Sequence, residues 1–309
     1  HDGRDARRAG SDAMKTGAVA LENPRSRVAD FVALTKPRLN LLVLLTTTVC
    51  FYLALPGTDA QWLIVPTLIG TALVAGGAAA LNQVYERDAD GLMLRTRSRP
   101  LPDGRLSEAE ARRFGIALSV AGIAALTYAR PLAAGLALGT LVSYALVYTP
   151  LKKRTSFAMV VGAVPGALPA TLGWAAASGA MTVEAWVLFG IVFFWQIPHF
   201  LAVAWMYRDD FARAGFAFLP VIEPSGRRTA RHVLLYLAAL LPVSLAPTWI
   251  GMVGTTYLVG ASLLGLGFAG LAVRFAWDRS GRNARWLFLG SIAYLPLLWA
   301  LLVATRFLG

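Results

Sequence analysis

Long apolar stretches constrain this chain more than any other feature of its sequence. Nine of them approach the ~20 residues that an α-helix needs to cross the hydrocarbon core of a bilayer. They lie roughly at residues 39–55, 62–85, 114–129, 132–149, 157–177, 185–206, 233–250, 255–276 and 286–305. With 57% apolar and only 15% charged residues, the composition excludes an ordinary water-soluble domain. The sequence therefore predicts an all-α, polytopic membrane protein.

The positive charges test these spans independently. Of the 29 Lys and Arg residues, all but Arg130 and Arg306 lie in alternate segments. Those segments are 1–38, 86–113, 150–156, 207–232 and 274–285. Because Lys and Arg accumulate on the cytoplasmic side, the pattern predicts about nine helices with a cytoplasmic N-terminus. The pattern does not identify the membrane, for which a cell inner (plasma) membrane is our expectation. Membrane lipid then accounts for the net charge of +12, and no nucleic acid is expected as a partner.

The arrangement of loops predicts one domain with an internal cavity. The polar residues 1–30 are expected to be a disordered tail, and residues 31–309 a single transmembrane domain. The two longest inner loops each follow a span that ends in an acidic cluster, Asn82–Asp90 and Tyr207–Asp210. This weak repeat is compatible with two similar halves. We expect the helices to surround a central cavity that opens to the inner side.

The first acidic cluster has the spacing of a metal site. Asn82, Glu86 and Asp90 recur at every fourth residue, so on a helix they lie on one face, whereas Asp88 points elsewhere. Their oxygen atoms suit Mg²⁺, which binds through one or two carboxylates together with phosphate oxygens. The alternative is a solvated helix end with Glu86 paired to an arginine. Acids at a membrane boundary are usually functional or paired.

Basic residues accompany the two acidic clusters on the inner side. They are Arg95 and Arg99 in the loop after the first cluster, Lys152, Lys153 and Arg154 after the fourth span, and Arg208 in the second cluster. Guanidinium and ammonium groups bind phosphate oxygens. Beside a magnesium site, they predict a binding site for a diphosphate. The alternative is that these residues only set the orientation in the membrane.

The sixth span carries a second set of polar side chains. Gln196, His199 and Asp210 fall on one helical face, and His199 and Asp210 would lie ~16 Å apart along an unbroken helix. They should therefore not bind one metal ion together. We expect Asp210 near the diphosphate, and His199 with Gln196 and Trp195 in a deeper acceptor pocket, where His199 could act as a general base. A buried histidine hydrogen-bonded to a neighbouring helix is the alternative.

These motifs, in this order, resemble the intramembrane polyprenyltransferase superfamily. Its first motif is an Asn followed at four-residue spacing by two acids, and its second is acid-rich and lies four spans later. The similarity is greater to the protohaem IX farnesyltransferase family, over about residues 30–222. The segments that carry it are Leu34–Arg38, Asn82–Asp90, Arg95–Thr96, Arg99–Pro102, Tyr148–Arg154, Gly162–Trp174, Trp195–Phe200 and Asp210–Val221. The last three spans resemble the family only in hydropathy.

The resemblance implies an activity, a metal and two substrates. Members of that family transfer farnesyl from farnesyl diphosphate to a vinyl group of haem b, giving haem O, and Mg²⁺ assists the departure of diphosphate. Carried over to this chain, the metal ligands are Asn82, Glu86, Asp90 and Asp210. The second motif has fewer acids than in relatives with aromatic acceptors, which puts a second Mg²⁺ in doubt. The resemblance also raises haem A synthase or other oxidase-assembly proteins as partners.

One departure from the family pattern affects the diphosphate site. The segment that begins at Tyr148 is one residue shorter than the usual spacing, so Lys152 and Lys153 remain alternatives for the same role.

Two other functions fit the same motifs. A prenyltransferase for a quinone-ring precursor or a chlorophyll-type pigment would use the same acids, although the segment Trp195–His199 favours haem. The second alternative is a membrane transporter, which is a different class of protein. Transporter sites lie near the bilayer midplane, whereas these acids lie at the inner edge, which argues against it.

Overall fold

The structure, a computed structural model, describes residues 26–55 and 59–307, and all the regular elements within them are helical. In chain order they are α1 (Arg27–Leu34), α2 (Pro37–Ala54), a 3₁₀ turn (Ala60–Leu63), α3 (Ile64–Tyr85), α4 (Arg87–Leu92), α5 (Glu108–Ala129), α6 (Pro131–Val142, continued by a π-helical turn Ser143–Tyr148 and a last turn Thr149–Leu151), α7 (Ala158–Ser178), α8 (Val183–Met206), α9 (Arg208–Arg213), α10 (Leu219–Ile222), α11 (Arg227–Trp249), α12 (Thr255–Trp277) and α13 (Gly281–Phe307). The predicted all-α class is confirmed.

Eight of the helices in the described part are long and apolar enough to cross a membrane. They are α2, α3 with the 3₁₀ turn before it, α6 with its continuation, α7, α8, α11, α12 and α13. The chain is thus a multi-pass membrane protein. The remaining predicted span, 114–129, lies within α5, whose first turn carries Glu108 and Glu110. The count of nine and the orientation stay predictions.

Local sequence signals explain where several helices begin and end. The Ser107 hydroxyl accepts a hydrogen bond from Glu110 N (3.3 Å), and the Glu110 carboxylate accepts one from Ser107 N (2.9 Å), which is a capping box at the start of α5. Pro131 stands at the start of α6, where its missing N–H costs nothing. Gly179, with φ of 76°, ends α7 in the left-handed conformation that favours glycine.

Glycines bring α3 and α5 into backbone contact. A Cβ atom added at Gly77 would lie 2.6 Å from the Gly115 carbonyl oxygen, and one added at Gly122 would lie 2.7 Å from the Gly70 carbonyl oxygen. No side chain fits at such distances, so small residues permit the approach, as they do between other membrane helices. This contact fixes the position of α3, the helix that carries Asn82.

The long helices form a closed bundle. Each packs against the next long helix along the chain, and α13 returns to pack against α2. Additional packing of α7 on α2 and of α8 on α13 fills the interior. Of the predicted tail, residues 1–25 lie outside the described residues, and α1 begins at Arg27, within the range assigned to the tail.

Candidate active site

The ends of α3, α6 and α8 surround a cavity of about 600 Å³. Eight of the residues singled out from the sequence line it: Asn82, Glu86, Asp90, Arg95, Arg99, Lys152, Trp195 and His199. The wall has two parts. We call the residues Lys36, Asn82, Glu86, Asp90, Arg99 and Lys152 the charged half, and the residues Trp195, His199, Phe200 and Phe288 the aromatic half.

The three acidic-motif residues face the cavity although the helix that carries them is interrupted. Helix α3 ends at Tyr85, and Glu86, with φ of −98° and ψ of 10°, separates it from α4. Hydrogen bonds from Glu86 N to Asn82 O (2.9 Å) and from Asp90 N to Glu86 O (2.7 Å) preserve the four-residue periodicity. Asn82, Glu86 and Asp90 are therefore buried on one side, and Asp88 is exposed, as the spacing predicts.

A cation lies against each of these three side chains. Lys152 Nζ is 2.8 Å from Glu86 Oε1, Arg99 Nη1 is 2.7 Å from Asp90 Oδ2, and Lys36 Nζ is 3.2 Å from Asn82 Oδ1. Charges in such a buried place must be paired. The charged half therefore holds carboxylates and cations within hydrogen-bonding distance of each other.

The π-helical turn places Lys152 in the cavity. Tyr144 and Tyr148 lie on this turn with ring centroids 5.5 Å apart, and Lys152 Nζ is 4.4 Å from the centroid of Tyr148. Burial opposes the charge of Lys152, but Tyr148 and Glu86 outweigh it and raise the pKa of its ammonium group. Lys153 and Arg154 are exposed and outside the cavity wall. Of the two alternative lysines, Lys152 is the one that reaches the site.

Lys36 lines the cavity, although the sequence patterns did not predict it as a site residue. It occupies the left-handed region with φ of 49°, which is uncommon for a residue other than glycine. Burial, together with the neighbouring Arg99, lowers the pKa of Lys36 to about 7. The available signal was its place in Thr35-Lys36-Pro37-Arg38, a polar group at the start of the first span, which was used for the family resemblance but given no role.

The second acidic cluster lies beside the cavity and contributes little to its wall. Asp210 Oδ1 accepts a hydrogen bond from Leu94 N (3.2 Å) and pairs with Arg213. Arg208 lies over the ring of Trp205, 4.8 Å from its centroid. Neither Asp210 nor Arg208 is among the residues that line the cavity. The contact with Leu94 instead ties this cluster to the loop that carries Arg95.

The assumption of an unbroken helix from His199 to Asp210 is wrong. Helix α8 ends at Met206, and Tyr207, with φ of −113° and ψ of 24°, turns the chain into α9. The ~16 Å separation estimated for a straight helix therefore does not apply.

His199 is surrounded by aromatic side chains, and within the described residues it forms one side-chain hydrogen bond. Its Nδ1 is 2.8 Å from Ser291 Oγ. The Ser291 hydroxyl donates its single hydrogen to Phe288 O (2.6 Å), so Nδ1 is the donor to Ser291 and Nε2 carries the lone pair. The imidazole stacks on Trp195 at 5.1 Å and lies 5.1 Å from Phe288. Such a nitrogen can accept a proton or ligate a metal.

Gln196 has a different position from the one predicted. Its Nε2 donates to Ala163 O (2.8 Å), and a Cβ added at Gly166 would lie 2.2 Å from its Oε1. It therefore packs against α7 and is not among the residues that line the cavity. Trp195 lines the cavity and donates from Nε1 to Ser291 O (2.8 Å).

No group of three or more His, Cys, Asp and Glu side chains in residues 26–55 and 59–307 is arranged to hold a metal ion. The oxygen atoms that could bind one belong to Asn82, Glu86 and Asp90, and each now contacts a cation.

Comparisons with known proteins agree with this architecture. The UbiA prenyltransferase family model matches residues 43–304. The protoheme IX farnesyltransferase of Solibacter usitatus is 48% identical over 288 residues, which are 90% of this chain and 98% of that protein. That of Opitutus terrae is 43% identical over 284 residues, covering 91% of this chain and 96% of the relative.

Solved structures share the fold at low sequence identity. A structure of digeranylgeranylglyceryl phosphate synthase has a TM-score of 0.76 at 13% identity and covers 90% of this chain and 98% of its own. A UbiA homolog from Archaeoglobus fulgidus bound to GPP and Mg²⁺ has a TM-score of 0.63 at 18% identity, covering 89% of this chain and 99% of its own. The resemblance inferred from the sequence motifs is confirmed, and the chain belongs to the UbiA prenyltransferase family.

Proposed function

We propose that this protein transfers the farnesyl group of farnesyl diphosphate to a vinyl group of haem b, making haem O and releasing diphosphate. In the balanced reaction the C–O bond to diphosphate breaks and a C–C bond forms to one vinyl carbon. Water supplies the hydroxyl group on the other vinyl carbon and releases one proton. The observation that carries the proposal is the division of one cavity into a charged half and an aromatic half.

The charged half supports the binding of a diphosphate. Lys36, Arg99 and Lys152 lie in one wall. Arg99 and Lys152 each pair with one carboxylate, whereas Lys36 donates only to the neutral amide oxygen of Asn82. A diphosphate offers these cations stronger, multiply charged partners. Arg95 lines the same cavity and lies 5.1 Å from the ring centroid of Tyr207, which leaves its guanidinium group near the entering anion.

The side chains that face these cations suit Mg²⁺ by their chemistry. Asn82, Glu86 and Asp90 present only hard oxygen atoms to the cavity, the type of ligand that Mg²⁺ takes together with phosphate oxygens. These three would hold the ion. Asp210, the further ligand implied by the family motif, lies beside the cavity and contacts Leu94 N and Arg213, so it could join the ion only after leaving these partners. Bound Mg²⁺ would supply neutralisation of the charge on the departing diphosphate. The structure of the Archaeoglobus homolog with GPP and Mg²⁺ is consistent with this assignment.

The aromatic half supports a flat, apolar acceptor. Trp195, Phe200 and Phe288 surround His199, and this environment excludes water that would otherwise capture an allylic cation. The free Nε2 of His199 can take the proton of the one water molecule that completes the addition, or hold the haem iron. Relatives named protoheme IX farnesyltransferase, 40–48% identical to the chain, support haem b as the acceptor.

The charge pattern supports a position in the cell inner membrane with the charged half on the cytoplasmic side. Farnesyl diphosphate would then reach the cavity from the cytoplasm, and its isoprenoid chain would remain within the apolar bundle.

The test is the haem content of membranes that contain the protein. Haem extracted from cells that express the chain should include a product that is heavier than haem b by one farnesyl group and one hydroxyl group. This product should elute later than haem b from a reversed-phase column. The matched control is Asp90→Asn at equal membrane abundance, which should leave only haem b. If the wild-type protein, shown to bind farnesyl diphosphate, leaves haem b unmodified but prenylates a quinone-ring precursor, haem is not the acceptor.

A further inference from the structure

We propose that the adjoining ends of α12 and α13 form a binding site for the phosphate headgroup of an anionic phospholipid. Arg274 lies in the last turn of α12, and Arg282 and Arg285 lie in the first turns of α13. All three line one surface cavity of about 640 Å³, together with Trp286 and Leu289. The site is separate from the candidate active site and goes beyond the transfer reaction.

The three arginines lack an anionic partner. None of them forms an ion pair within the part of the chain that the structure describes. Asp278 lies between the two helices, but its carboxylate accepts a hydrogen bond from Asn283: the distance from Asn283 Nδ2 to Asp278 Oδ2 is 2.8 Å. Like charges that line one cavity repel each other, and a bound anion would remove that repulsion.

The start of α13 also favours an anion. A helix N-terminus carries partial positive charge, so acidic side chains stabilise it and cations there do not. Helix α5 follows this rule, with Glu108 and Glu110 in its first turn. Helix α13 has no acid in its first turn and has Arg282 there instead. A phosphate group at this position would offset both the helix dipole and the arginine charges.

The surroundings of the cavity indicate that the anion belongs to a lipid. A Cβ added at Gly226 would lie 2.4 Å from Trp205 Cη2 and 2.9 Å from Arg279 Cδ, so the α12–α13 connection is at the same end of the bundle as the end of α8 and the charged half. Tryptophan side chains concentrate at the headgroup level of membranes, and Trp277 is 89% exposed and Trp286 50% exposed here.

Exposed apolar side chains continue from the arginines along both helices. Leu289 on α13 and Val273 on α12 are exposed and lie next to Arg285 and Arg274. A ligand that fills this surface has a phosphate group at the arginines and an acyl chain along the helices. Basic cavities between membrane helices on the cytoplasmic side are known to bind such headgroups.

The experiment measures lipid binding to the full-length protein in detergent and in nanodiscs of phosphatidylcholine. Phosphatidylglycerol and cardiolipin are titrated, and bound lipid is counted by native mass spectrometry. In a bilayer of zwitterionic lipid the surface attracts no anion by itself, and each arginine that contacts the bound phosphate directly should contribute roughly fivefold, the effect that one basic residue has on an anionic headgroup. The triple variant Arg274→Gln, Arg282→Gln, Arg285→Gln should therefore bind these lipids about a hundredfold more weakly.

The matched control removes three other arginines at the same end, Arg227→Gln, Arg228→Gln and Arg231→Gln. These residues are exposed at the start of α11 and do not line the cavity. The control should keep nearly all of the wild-type affinity. An equal loss in the two triple variants would mean diffuse surface charge and would overturn the proposal.

Two further measurements distinguish lipid binding from phosphate binding and from misfolding of the variant. If inorganic phosphate raises the thermal stability of the protein as much as an equal concentration of phosphatidylglycerol, the acyl chain plays no part and the lipid proposal fails. If the triple variant does not fold, Arg282→Gln replaces it, with an expected loss of about fivefold. An unchanged affinity in that variant would also contradict the proposal.

Discussion

The two halves of the active-site cavity are stabilised in opposite ways. In the charged half, every acidic-motif side chain contacts a cation: Glu86 contacts Lys152 of a distant helix at 2.8 Å, and Asp90 contacts Arg99 of the following loop at 2.7 Å. In the aromatic half, His199 is held by a neutral hydrogen bond to Ser291 and by ring contacts. The first half can exchange partners with an incoming anion, whereas the second offers an apolar aromatic surface. Under the proposed function, the leaving group would depart in the charged half and the acceptor would react in the aromatic half.

The largest expected effect is the loss of a carboxylate from the charged half. Asp90→Ala should lower farnesyl transfer by about 10²–10³-fold, the usual effect of removing one group that stabilises charge in the transition state. Product formation in detergent micelles with farnesyl diphosphate, haem b and Mg²⁺ measures it. Asp88→Ala is the matched control, because Asp88 lies on the same short helix and is exposed. Normal turnover in the Asp90 variant would remove this half from the chemistry.

A change in the aromatic half should affect the product and spare the donor. His199→Ala should lower product formation by roughly 10²-fold, at the lower end for general acid–base groups, while farnesyl diphosphate binds normally. His232→Ala serves as the control, because this half-buried histidine lies outside the cavity wall, where it hydrogen-bonds the Arg228 carbonyl and stacks on Tyr236. Haem binding measured separately distinguishes iron ligation from proton transfer. Unchanged binding and turnover would make His199 a packing residue.

The cavity arginines should affect binding of the donor and leave the acceptor untouched. Arg95→Ala and Arg99→Ala should each weaken farnesyl diphosphate binding by about 1.5–3 kcal/mol, as expected for hydrogen bonds to charged groups. Isothermal titration on the purified protein gives the affinity. Arg97→Ala changes the same charge in the same loop outside the cavity wall and should have little effect. Equal affinity in all three variants would assign these residues to membrane orientation alone.

The smallest expected effect is a pH dependence confined to the charged half. Burial lowers the pKa of Lys36 to about 7, so its charge, and with it the affinity for farnesyl diphosphate, should fall by about tenfold between pH 6 and pH 8. Folding disfavours the ammonium form of Lys36. The free energy of unfolding of the ligand-free protein should therefore rise as the pH increases from 7 towards the pKa that Lys36 has in the unfolded chain. Lys36→Arg stays charged and should lose both effects. The same pH profile in that variant would assign the titration to another group.

The charged half was accessible from the sequence except for Lys36, whereas in the aromatic half the sequence indicated Trp195 and His199 but not the residues that pack around them. Asn82, Glu86 and Asp90 are local in sequence, and the hydrogen bonds that align them span four residues, so their periodicity alone predicted a shared face. The partner of His199 is Ser291, on a helix that begins at Gly281; the sequence motifs identified no residue there, although the family model extends to residue 304. No spacing rule connects positions so far apart. Lys36 was missed because a lysine at a span boundary has an ordinary explanation in membrane topology.

The long helices could be predicted from the sequence, but the breaks between them could not. A bilayer of constant thickness requires spans of about 20 residues, so the apolar runs of that length predicted the long helices. The end of α8 at Met206 carries no proline or glycine to signal it. It depends on the packing of α9, where Asp210 holds the backbone of Leu94 across the chain.

The π-helical turn at Ser143–Tyr148 gives this helix one residue more than regular winding needs. The Thr149 backbone N–H and the Thr149 hydroxyl both donate to Tyr144 O, five residues back, which is the π-helical pattern. Because the turn takes up one extra residue, deleting one residue inside it would restore regular winding and leave Lys152 facing Glu86. Deleting one residue in the regular part of α6 would instead rotate everything after it by about 100° and turn Lys152 away from Glu86. Homologues that differ by one residue at this turn should therefore keep the same basic side chain in the cavity.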